Sequence, residues 1–110
     1  MAALQPWPPL YMQSRILKAF VRQQQDQVEE FRRIEEHLRM LLMLATRAKL
    51  YTSYLPPSNF KKELVKLLTE MRDILTVQLN HVQRHRTDLT QKNQHVVYWL
   101  QFCYPAAVLQ

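Results

Sequence analysis

The 110-residue chain contains no glycine and one cysteine, and its formal charge is +6 with a sequence pI near 9.8. The missing turn residues exclude an all-β fold, and the lone Cys103 excludes an internal disulfide framework. The length limits the chain to one small domain, and the abundant Leu, Gln, Arg, Lys, Glu and Met favour an all-α class.

Residues 1–10 read as a proline-rich lead, with Pro6, Trp7, Pro8 and Pro9 ahead of the first helix. Proline suits the start of a helix, where a missing N–H costs nothing. An indole has little reason to sit in a free tail, so Trp7 is expected to dock on the helices or on a partner.

The first helix is predicted from about Leu10 to Tyr51. Its expected apolar stripe is Leu17, Val21, Val28, Phe31, Ile34, Leu38, Leu41, Ala45 and Ala48, interrupted by Gln24, at spacings of three and four. Acid-before-base pairs at four-residue spacing, Glu29 with Arg33 and Glu35 with Arg39, mark the opposite face as solvated. No acid precedes Asp26, while Arg15, Lys18 and Arg22 alternate with Ile16, Leu17, Phe20 and Val21. Mitochondrial presequences share that pattern, but the leading prolines and sparse serines favour an ordinary first helix.

Tyr54-Leu55-Pro56-Pro57-Ser58-Asn59 is the predicted turn. Proline lacks the donor a helix needs and pushes the preceding residue towards extended geometry. Ser58 or Asn59 can cap the second helix, which then runs to Tyr104, ahead of a 105–110 tail. Its expected stripe is Phe60, Leu64, Leu68, Met71, Leu75, Leu79 and Val82, followed by Leu89, Val96, Leu100 and Cys103. A break near Thr87-Asp88 is the alternative, because Asp88 and Gln91 resemble a capping arrangement. The expected architecture is an antiparallel hairpin of two long helices over 11–104. Folding at the prolines would place Leu41 near Met71, Phe31 near His81 and Leu17 near Val96.

The hairpin alone cannot cover its apolar surface. Met40, Leu41, Leu42, Met43 and Leu44 are consecutive and point all round a helix, and a helix apolar all round is normally buried all round. Together with Leu38 they form the first arm of an expected partner interface, the second arm being Leu64, Leu67, Leu68, Met71, Ile74 and Leu75. A partner chain would complete a helical bundle. The competing arrangement is a shorter first helix with an extra bend. At the open end lie Trp7, Phe20, Tyr98, Trp99 and Phe102, an aromatic group suited to closing the hairpin or binding a second surface.

Catalytic chemistry has little to work with. His81 and His85 share a helix face, but Arg84 and Arg86 flank His85 and no third ligand stands nearby, so a surface reading is preferred to a metal site. Cys103 falls on the apolar stripe as an expected buried thiol. The carboxylates Glu29, Glu30, Glu35 and Glu36 are matched by Arg32, Arg33 and Arg39 as a solvated face. Neither a cofactor nor a metal is expected, nor an enzyme. The apolar run at 40–45 is too short to span a bilayer.

The expected function is a non-enzymatic helical scaffold or adaptor subunit of an intracellular assembly, in nucleus or cytoplasm. A hetero-oligomer is favoured over a homodimer. The alternatives are a basic helical module that binds nucleic acid through the stretch Gln83-Arg84-His85-Arg86 with Lys92 and His95, or through Lys61, Lys62 and Lys66, and a mitochondrial assembly factor.

Overall fold

The computed structural model describes residues 7–104, and the 105–110 tail and most of the proline-rich lead lie outside them. Within these residues the protein is all-helical. Helix α1 runs Leu10–Tyr51, a 3-10 turn follows at Thr52–Tyr54, and helix α2 runs Asn59–Cys103. The two long helices pack against each other as a hairpin. Neither is interrupted, so the extra bend in the first arm and the break near Thr87 are both absent.

The ends follow from local chemistry. The Pro9 carbonyl accepts the first helical bonds, from the Met12 and Gln13 amides at 2.9 Å, and places proline one position ahead of α1. After Tyr51 the chain tightens, with the Leu55 amide donating to the Thr52 carbonyl at 3.1 Å. The Ser58 hydroxyl then accepts the Lys61 amide at 3.1 Å, which caps α2 as its sequence suggests. Lys61 Nζ donates to the Leu55 carbonyl at 3.1 Å and ties the turn to the first turn of α2.

Two compact units divide the chain. One comprises Glu29–Thr87, and the other comprises the residues up to Val28 together with those from Asp88 onward. In the Glu29–Thr87 unit the core is Leu38, Ala45 and Leu75, with Leu42, Leu79 and Val82 packed against them. The inward positions follow a seven-residue repeat: Phe31, Glu35, Leu38, Leu42, Ala45, Lys49 and Thr52 on α1. On α2 they are Lys61, Val65, Leu68, Arg72, Leu75, Leu79, Val82 and Arg86.

This seam corrects the expected stripes. Ile34 and Leu41 on α1, and Phe60 and Met71 on α2, are exposed, and their immediate successors point inward instead. Glu35, Arg72, Arg86 and Lys61 hold inward positions, so a purely apolar pattern steps to the neighbouring residue. The register moves with it. Phe31 meets His85 edge-on, with ring centroids 4.8 Å apart, one turn beyond the expected His81. The fold-back is therefore centred near Ser58 and not on the prolines, because the Thr52–Tyr54 turn still extends the first arm.

In the other unit, Ser14, Val21, Val28 and Asn93 are buried, with Leu17, Gln24, Leu89 and Leu100 half-buried. Cys103 is exposed, contrary to its expected place in the stripe. The larger Tyr104 is half-buried beside it and donates its hydroxyl proton to Gln13 Oε1 at 3.2 Å, turning the thiol outward.

Candidate functional site

The sequence-derived contact residues of the Glu29–Thr87 unit separate into two groups. Leu38 and Leu75 are buried in the hairpin's own core, and Leu42, Leu64 and Leu68 are half-buried. Met40, Leu41, Met43, Leu44, Leu67, Met71 and Ile74 are exposed. The consecutive apolar run at 40–44 is thus shared: Leu42 seals the seam, and its neighbours face away from it.

Most of the exposed apolar residues are arranged along one flank. On each helix, residues immediately following an inward position turn to one side of the seam, and residues immediately preceding it turn to the other. In an antiparallel pair, equivalent flanks of the two helices meet on the same side. The following flank is polar, with Glu36, Arg39 and Thr46 on α1 and Lys62, Lys66, Thr69, Asp73, Thr76 and Gln83 on α2; Met43 and Leu50 are its apolar exceptions. The preceding flank is Ile34, His37, Leu41, Leu44, Ala48 and Tyr51 on α1, beside Phe60, Leu64, Leu67, Met71 and Ile74 on α2. Only His37 breaks its apolar run along these two stretches. Each stretch repeats at alternating three and four residues, which is the spacing of a second helix-packing seam.

The polar flank is built around Glu35. This side chain is only 1% exposed, although its charge pattern groups it with Glu29, Glu30 and Glu36 on a solvated face. Arg86 grips it from α2 through Nε to Oε2 and through Nη2 to Oε1 at 3.3 Å. Arg39, one turn along α1, adds a contact to Oε1 at 3.0 Å. The Arg86 hydrogen bond holds the Glu35 carboxyl below its ordinary value, burial opposes it, and Gln83 and Arg39 assist. A buried carboxylate is tolerable only with such partners. Glu29 and Glu30 do lie on the surface, but they pair with Arg32 at 2.7 Å and Arg33 at 3.2 Å, three residues on. Such exposed pairs add little stability. No apolar periodicity could reveal the Glu35–Arg86 contact; its one sequence signal is a charge at a heptad position that should be apolar.

The aromatic group lies in the other unit. Tyr98, Trp99 and Phe102 share a face of α2, with centroid separations of 5.8 Å for Tyr98–Trp99, 5.1 Å for Tyr98–Phe102 and 5.7 Å for Trp99–Phe102. The Trp99 indole donates to His95 Nε2 at 2.7 Å. All three rings remain half exposed or more, as does Phe20 on α1. Trp7 does not dock on the helices, being 89% exposed. The rings thus pack on one another while keeping apolar area open to solvent. In the same unit, Lys18, Arg22, Gln25, Val97 and Gln101 line a shallow groove together with Val21 and Leu100.

For metal or catalytic chemistry, no group of three His, Cys, Asp or Glu among the described residues is placed to hold an ion. His81 and His85 are exposed, and the His85 ring is taken up by Phe31. No helix among the described residues is long and apolar enough to cross a membrane. Comparison with protein-family models, curated proteins and solved structures returns no match.

Proposed function

We propose that the protein is a non-enzymatic helical scaffold or adaptor subunit of a larger intracellular assembly, acting by helix-on-helix packing. The observation that carries this reading is the apolar flank of the Glu29–Thr87 unit. Ile34, Leu41 and Leu44 on one helix and Phe60, Leu67, Met71 and Ile74 on the other are all exposed. Monomeric chains rarely leave such a contiguous apolar surface open. The exposed Tyr98–Trp99–Phe102 group is a second contact zone, with the large rigid side chains that anchor interfaces. With two separate surfaces the chain can bridge different partners, which favours a hetero-oligomer.

A basic nucleic-acid module is the weaker reading. Of its expected cations, Arg86 is committed to Glu35 and Lys61 to the Leu55 carbonyl. Sizing of the tagged chain in cell extract, at low and high salt, separates the two. Helix packing predicts a complex that survives high salt and is lost in Leu41→Asp/Leu44→Asp with helicity unchanged. A complex that dissolves steeply with salt would instead indicate phosphate contacts, and absence of any complex would overturn the scaffold reading.

A further inference from the structure

We propose that the apolar flank of the Glu29–Thr87 unit is covered by a second copy of this chain, forming a four-helix bundle of two hairpins. The inference deepens the scaffold reading and rests on it: the copy occupies this flank, and the aromatic face stays available for a different protein.

Three observations select a second copy. First, both helices contribute a packing stripe to one flank, so its complement is a pair of helices bearing similar stripes, which another copy supplies. Second, the half-exposed large side chains on this flank offer an apolar area on the order of the ~800 Å² per partner that a stable interface buries. Third, beside the apolar stretch nearest the turn the rim carries opposite charges on the two helices. Arg47 stands at the outer edge of the flank on α1, and Glu63 and Glu70 stand at the outer edge on α2. Among the described residues, neither Arg47 nor Glu70 makes an ion pair within its own chain.

A two-fold axis parallel to the hairpin sets α1 of one copy against α2 of the other, with both turns at the same end. The register set by the Phe31–His85 contact puts Arg47 and Glu70 at similar heights on their helices. The axis therefore brings Arg47 of each copy to Glu70 of the other, twice per dimer. Met40 and Val77, the next residues along these rims towards the middle of each helix, are both exposed and apolar and extend the same contact.

The test is the mass of the purified full chain across a concentration series, by light scattering after size exclusion. The expected value is twice the 13.3 kDa of one chain. Leu44→Glu/Leu67→Glu should return the monomer with the helical circular dichroism intact, since both side chains are exposed. Arg47→Glu alone, measured at low salt, should weaken association about tenfold by turning two attractions into two repulsions. Adding Glu70→Arg to it should restore affinity to within about twofold. A monomer at every concentration, or a dimer that the Arg47→Glu/Glu70→Arg swap fails to restore, overturns the proposal. A purified monomer that still enters a salt-resistant complex in extract would overturn the second copy while leaving the scaffold reading standing; loss of both would remove that reading as well.

Discussion

Glu35 and Arg86 lie 51 positions apart in the chain and meet side chain to side chain across the seam, with the carboxylate almost wholly enclosed. The pair restricts how the two helices can slide, because a shift of one turn would leave a buried charge without its partner. Glu35→Ala should therefore destabilise the hairpin by about 2 kcal/mol, through loss of the charged hydrogen bonds and the stranding of Arg86. Chemical denaturation measures this. Replacing both residues with leucine should recover most of the loss; a double variant as unstable as the single one would show that the contact does more than satisfy buried charge.

The same contact sets a pH dependence. Arg86 lowers the folded-state pKa of Glu35 below its ordinary 4.5, so folding favours the carboxylate over the protonated acid. A group with a depressed folded pKa contributes its full stability above the unfolded value and loses it as pH falls through the folded value. The wild-type hairpin should lose stability as pH drops below about 4.5, and Glu35→Gln should lose less across that window. Thermal melts of the two proteins over the acid range would check it, and parallel curves would exclude Glu35 as the titrating group.

Arg72 presents the opposite situation. It holds an inward position of α2 within the apolar part of the seam, and its Nε is buried without a hydrogen-bond partner among the described residues. A lone buried donor is costly to enclose. Arg72→Leu should stabilise the chain by about 1 kcal/mol, seen as a rise of several degrees in the melting temperature. A fall in the melting temperature would mean that the arginine stem contributes more by packing than its head group costs.

Much of the fold is legible in the sequence because its punctuation is concentrated. Prolines at 6, 8, 9, 56 and 57 and the capping Ser58 delimit two unbroken helices, and no glycine competes with them. The seam is harder to read. Glu35, Arg72 and Arg86 occupy inward positions while Ile34, Leu41 and Met71 stand one residue earlier with a cleaner apolar rhythm. Two overlapping three-four patterns therefore run along each helix, and hydrophobicity alone selects the outer one. The register follows the same limit: the prolines look like the centre of the turn, but the hydrogen-bonded turn before them belongs to the first arm. Spacing alone points Cys103 inward, because it carries no information about the Tyr104–Gln13 hydrogen bond.

Asn93 is the polar insertion of the other unit. It is buried on α2, and its Nδ2 lacks a hydrogen-bond partner among the described residues. A single buried asparagine in a helix seam costs stability and limits alternative registers. Asn93→Leu should raise the denaturation midpoint by an amount corresponding to about 1 kcal/mol. It should also broaden the amide spectrum of that unit if the asparagine restricts sliding. A stabilised variant with an unchanged, well-dispersed spectrum would limit the role of Asn93 to its energetic cost.

The aromatic face offers a separation of the two contact zones. Trp99 and Phe102 are exposed and stand outside the buried residues of their unit, so removing them should leave the hairpin seam intact. Trp99→Ser/Phe102→Ser should keep the helical signal and the association of purified chain, because the apolar flank of the Glu29–Thr87 unit is untouched. It should reduce entry into the complex formed in cell extract by about tenfold or more, the usual loss when paired aromatic anchors are removed from an interface. Sizing of the purified variant, followed by sizing of the same variant in extract, provides both readings from one preparation. If the complex persisted unchanged, the aromatic residues would be a self-packed surface cluster, and the flank lined by Leu41, Leu44, Leu67 and Met71 would have to carry the whole of the assembly.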